Sequence, residues 1–133
     1  MPIELEMILR LLLAAALGAI IGYQRERAGK TAGLRTHVLI CLGSGLFTVA
    51  SIYGFGIATD PARVAAGVVA GVGFLGAGAI LHHEGGLVAG LTTAATIWAV
   101  AGIGMTAGAG LYLVSAVTTV LILAVLFIPR PIR

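Results

Sequence analysis

Charge is scarce in this chain. Charged residues occupy 10% of its 133 positions, where a soluble domain carries about 25%. Too few solvated side chains remain to cover a water-exposed surface. Cysteine occurs once, as Cys41, which excludes an intramolecular disulfide and a multi-cysteine metal site. Cys41 lies in an apolar stretch and reads as a small packing residue. The acidic residues are Glu4, Glu6, Glu26, Asp60 and Glu84, and none stands near the centre of an apolar run. From Val64 to Leu81 and from Val88 to Ile128 there is no Asp, Glu, Lys, Arg or His. Ion and proton pathways usually show an ionisable residue inside the membrane, because one is kept there only for use. The gap therefore argues against a coupled transporter with a charged midplane site. It also leaves no nucleophile–base pair within the membrane, so no enzyme, cofactor or metal site is expected.

What is present is apolar length. Hydrophobic residues make up 59% of the chain, and the mean hydropathy is +1.11. About 20 apolar residues span a bilayer as a helix. Five such runs are predicted: Leu5–Tyr23, Thr36–Phe55, Val64–Leu81, Val88–Thr106 and Ala109–Ile128. In hydrocarbon the backbone must satisfy its own hydrogen bonds, so each run is a helix. The expectation is an all-α polytopic bundle of about five helices, with residues 1–133 as one transmembrane domain. The first run starts acidic, where a signal peptide starts basic, and reads as a retained span. Asp60-Pro61 marks a helix start. Glu84-Gly85-Gly86, Gly108 with Gly110, and Pro129 with Pro131 mark breaks.

The formal net charge is +3, yet a nucleic-acid surface is not indicated. Arg25, Arg27, Lys30 and Arg35 sit in or beside one loop, and Arg130 and Arg133 at the end. With five spans both clusters share one side. The positive-inside rule then puts the N-terminus outside and the C-terminus in the cytoplasm.

The 20 glycines carry the packing signal. Small residues four apart let membrane helices approach closely, and Gly18/Gly22, Gly67/Gly71 and Ala95/Ala99 have that spacing. A homo-oligomer is expected, since so small a bundle has little interior. Gly71, Gly73, Gly76 and Gly78 form either a flat packing face, the favoured reading, or a broken helix lining a pathway. Gly71 to Gly76 fits G-x-G-x-x-G but lies within an apolar span and lacks the acidic residue that dinucleotide binding needs. His82-His83-Glu84 is a weak metal pattern, three adjacent ligands on one short loop.

The polar candidates lie near the ends of runs. Arg25, Arg27 and Lys30 suit topology and lipid headgroups, and Glu26 has i,i+4 spacing to Lys30. Arg35 and His37 sit deeper and suit ion-paired or hydrogen-bonded roles. Asp60 reads as a cap, with Arg63 one turn on as its partner or that of another helix end. Thr92, Thr93 and Thr96 are expected to bond carbonyls of their own helix. Trp98, near mid-span, wants an acceptor for its N–H on a neighbouring helix.

Three blocks resemble the MgtC/SapB family of bacterial inner-membrane proteins. The first runs from Gly18 through Gly22-Tyr23-Gln24-Arg25-Glu26 to Ala32-Gly33-Leu34-Arg35-Thr36-His37. The second is Asp60-Pro61-Ala62-Arg63 with Val72-Gly73-Phe74-Leu75-Gly76-Ala77-Gly78. The third is Gly90-Leu91-Thr92-Thr93-Ala94-Ala95-Thr96 with Trp98. The resemblance implies a five-span domain like that of the family's short members, multi-pass in the inner membrane and embedded in lipid. It implies a non-enzymatic role in magnesium or ion homeostasis through contacts within the membrane, with a complex such as the rotary ATP synthase as a partner. The alternative is a magnesium-like cation channel or transporter, its neutral pathway at the third helix or a subunit interface. Arg25, Glu26, Arg35, Asp60, Arg63, Thr92 and Thr93 carry over as candidate positions. The chain departs from the family pattern at Gln24, Gly67 and Ala89.

Overall fold

The computed structural model describes residues 2–81 and 87–129, apart from the side chains of 87–89. His82-His83-Glu84, Arg130 and Arg133 lie outside the described residues. Five helices follow in order: α1 (Ile3–Arg27), α2 (Leu34–Tyr53), α3 (Ala62–Leu81), α4 (Leu87–Gly108) and α5 (Tyr112–Leu126). The first four are long and apolar enough to cross a membrane. With its 15 residues, α5 rises about 22 Å, short of the roughly 30 Å hydrocarbon core. The chain is a multi-pass membrane protein.

Local chemistry sets the helix ends. Glu4 and Glu6 stand in the first turn of α1, and Arg25 and Arg27 in its last, the arrangement the helix dipole favours. Gly29 then takes φ +73°. Its N–H donates to Glu26 O at 3.0 Å, and Lys30 N–H donates to Arg25 O at 3.0 Å. This paired closure is the Schellman motif, and it needs a residue at ease with positive φ. The end of α4 repeats it: Gly110 has φ +86° and donates to Ala107 O, while Leu111 donates to Thr106 O. This turn carries α4 two residues past the expected end and shortens α5. Asp60 Oδ1 accepts from Ala62 N–H at 3.0 Å and so opens α3, the cap that the Asp-Pro pair predicts.

The tight core is made by α1, α2 and α4. A Cβ added to Gly18 would stand 2.6 Å from Cys41 Cβ, and one on Gly22 would stand 2.8 Å from Leu34 Cα. The Gly18/Gly22 pair therefore seats α1 on α2. On α4, Gly108 lies against Gly45 O, and Gly104 against the carbonyl of Cys41. Ser44 Oγ donates to Ala101 O at 2.6 Å, tying α2 to α4 at mid-membrane. Around these contacts pack Ala14, Leu17, Ile21, Cys41, Val100, Ile103 and Ala107. Cys41 is buried and free.

The third helix is peripheral and unbroken. Its buried residues are Val68, Val72 and Gly76, and Gly76 meets Ala94 of α4. A Cβ on Gly67, Gly71, Gly73 or Gly78 would meet nothing within 4 Å. The flat packing face expected of this helix is thus used inside the protomer only at Gly76. A groove of about 550 Å³ runs between α2 and α3, past Gly43, Phe47, Gly67, Gly71 and Leu75.

Candidate functional site

Polar side chains gather at the two ends of the bundle. At one end Arg10, 7% exposed, joins four helices. Its guanidinium pairs with Glu6, Nη1 donates to Gly108 O at 3.1 Å, and Nε donates to Tyr112 OH at 3.3 Å. The phenol donates in turn to Glu6 Oε2 at 3.3 Å. The guanidinium lies 5.2 Å from the centre of the Tyr53 ring. Charge, planar donors and aromatic face are all matched, so this cluster is a fastening. Arg10 was not among the candidates read from the sequence. The i,i+4 spacing of Glu6 and Arg10 is the signal that marks it.

At the other end the last turn of α1 meets the first turn of α2 and the second turn of α4. Arg25 is 3% exposed, and its Nη2 donates to Thr93 Oγ1 at 3.2 Å. Thr93 is itself fully buried. Arg25 points inward rather than toward the headgroups, and Thr93 accepts from another helix. Glu26 Oε1 accepts from Leu34 N–H at 2.9 Å, satisfying an orphan donor at the start of α2. His37 has no exposed surface. Its Nδ1 carries the proton, since it faces the carbonyl of Gly33 at 2.8 Å. Three buried atoms here have no hydrogen-bond partner among the described residues: Gln24 Oε1, Arg25 Nε and His37 Nε2.

The remaining candidates do not join this centre. Arg35 is exposed, because α2 begins at Leu34 and turns that side chain outward. Asp60 and Arg63 are exposed at the opposite end, near the start of α3. Trp98 is 58% exposed and faces outward from α4, so the interhelical hydrogen bond expected of its N–H is not made among the described residues. Thr96 Oγ1 donates to Thr92 O at 2.7 Å, as expected of a hydroxyl in a membrane helix. Gly71, Gly73, Gly76 and Gly78 lie on α3, where Gly76 packs on Ala94 of α4. Among the described residues no group of three or more His, Cys, Asp or Glu is placed to hold a metal.

The MgtC family model matches residues 11–133. The chain belongs to the MgtC family. Its similar relatives include the "Putative magnesium transporter YhiD" of Escherichia coli (strain K12), 51% identical over 130 residues, covering 90% of this chain and 60% of that protein. The "Protein MgtC" of Brucella abortus (strain 2308) is 47% identical over 119 residues, covering 90% of this chain and 49% of that protein. The "Protein SapB" of Bacillus subtilis (strain 168) is 37% identical over 139 residues, covering 98% of this chain and 60% of that protein. This chain thus spans no more than about 60% of the length of these relatives. No solved structure gives a significant match. Family and spans together place the protein in the bacterial inner membrane. Arg25, His37 and Thr93 fall within the matched region, whereas Glu6 and Arg10 precede it.

Proposed function

We propose that the protein serves magnesium homeostasis as a non-enzymatic membrane component that acts through protein contacts in the bilayer. The magnesium link comes from the family and from the name of its relative in Escherichia coli. The observation that carries the contact reading is α3. At three of its glycines, Gly67, Gly71 and Gly73, an added Cβ would meet nothing within 4 Å, and Phe74 beside them is 82% exposed. A membrane helix keeps such small positions where another helix approaches. The occupant is a second copy of this chain: Phe74 is the projecting side chain and the glycine-lined groove between α2 and α3 is the recess, so one surface supplies both halves of a two-fold contact.

A neutral pathway has less to build on. Thr48, Thr96, Thr106 and Thr119 spend their hydroxyls on carbonyls of their own helices, and the groove beside α3 is lined mainly by apolar side chains. In the functional test, Phe74→Cys crosslinks between copies in native membranes. Adding Gly71→Leu abolishes that crosslink, and Gly71→Leu alone abolishes support of growth at low magnesium. Full growth support by a variant that no longer crosslinks would overturn the reading.

The orientation belongs to the same proposal. Arg25, Arg27, Lys30 and Arg35 all lie at the end where α1 meets α2, so that end faces the cytoplasm. A membrane-impermeant thiol reagent should reach Lys30→Cys only from the cytoplasmic side. Labelling from outside would reverse the assignment.

A further inference from the structure

The structure assigns a phosphate-type oxyanion site to the Arg25 end of the bundle. Arginine stays charged in any protein environment. Arg25 is nevertheless 3% exposed, and the one hydrogen bond it makes among the described residues is to a neutral hydroxyl, that of Thr93. No carboxylate of a described residue pairs with it. Glu26, next along α1, accepts from the backbone of Leu34 instead. A buried charge left without a counter-charge is strongly disfavoured; no described residue supplies one, and an external oxyanion would.

The surroundings favour an anion. Arg25 lies on the face of α1 that carries Gly22, one turn away. A Cβ on Gly22 would stand 3.0 Å from His37 Cβ, which puts His37 beside the same turn. Among the described residues Arg25 Nε is a donor without an acceptor, and the buried Gln24 Oε1 and His37 Nε2 also lack partners. The Gln24 amide can turn its NH₂ inward, and the imidazole offers a second N–H when protonated. The first turn of α2, which carries His37, lies beside it, and a helix N-terminus favours negative charge. The exposed Arg27 and Arg35 add an electropositive rim that draws anions in. A water molecule would meet the hydrogen-bonding needs of these atoms but would leave the guanidinium uncompensated. At the interfacial end of a span, the oxyanion is either a lipid headgroup phosphate or free phosphate from the adjoining solution. The chemistry recognised is the same.

The test uses the full chain in maltoside micelles, which carry no phosphate, and reads its thermal unfolding midpoint. One arm adds inorganic phosphate against chloride at matched ionic strength. The other adds phosphatidylglycerol to the micelles. The wild-type midpoint should rise by about 5 °C in at least one arm. A response to phosphatidylglycerol alone names the headgroup as the source, and a response to phosphate names the free anion. Arg25→Gln should remove the response, whereas Arg27→Gln at the exposed rim should keep it. Gln24→Glu supplies a carboxylate from within the chain, so it should raise the midpoint in phosphate-free micelles and abolish the response. It also carries the test if Arg25→Gln does not fold. No rise beyond the chloride control in either arm, or an undiminished response in Gln24→Glu, would overturn the assignment.

Discussion

At Gly104 a methyl group has nowhere to go, because the backbone of α2 at Cys41 already fills the space, whereas at Gly73 it would meet nothing. The two positions look alike in the sequence and differ only in what another helix brings to them. Gly104→Ala should lower stability by about 1–3 kcal/mol through overpacking. Gly73→Ala should be neutral or stabilising by up to about 1 kcal/mol, the helix-propensity gain. Thermal unfolding of the purified protein in mild detergent checks both, and equal effects would show the α2–α4 contact to be wrong. Single residues were legible where their partners lie close by in the chain. Asp60 as a cap is set by a spacing of two residues; the four-residue spacing of Glu6 and Arg10 was as near at hand, yet the pair was not read from it. The Arg25–Thr93 bond joins positions 68 apart, and only the packing of α1 on α4 brings them together.

At the scale of elements, the apolar runs and their breaks located all five helices, because a membrane leaves the backbone no other option. Which helices form the core was not legible. All are apolar nearly all round, so hydrophobicity does not separate a face turned to protein from a face turned to lipid. Close approach of backbones makes that distinction, and it favours α1, α2 and α4. The glycine-rich third span drew attention for its composition, yet it is the least buried of the four helices long enough to cross a membrane. Its register on α4 can be measured. A Cβ on Gly76 would stand 3.4 Å from Ala94 Cβ, close to the separation in disulfides, about 3.5–4.5 Å. With Cys41 replaced by Ala, Gly76→Cys and Ala94→Cys should form a disulfide on mild oxidation. Gly73→Cys with Ala94→Cys should not, and the reverse pattern would place α3 in another register.

For the whole molecule, the two polar clusters fix the threading. Arg10 gathers the start of α1, the end of α4 and the start of α5, with the Tyr53 ring at the end of α2 close by. Arg25, Glu26 and Thr93 gather the end of α1 with the starts of α2 and α4. Between them the described spans hold buried hydroxyls and apolar packing, and no charged side chain occurs from Val64 to Leu81 or from Gly90 to Ile128. Such a body is suited to contacts within the bilayer and offers a divalent cation no ligands at its centre. The direct measurement is magnesium entry into sealed vesicles that carry the purified protein, followed with an internal magnesium indicator. The contact account predicts entry no faster than in protein-free vesicles. Protein-dependent magnesium entry, abolished by Gly76→Leu, would contradict it.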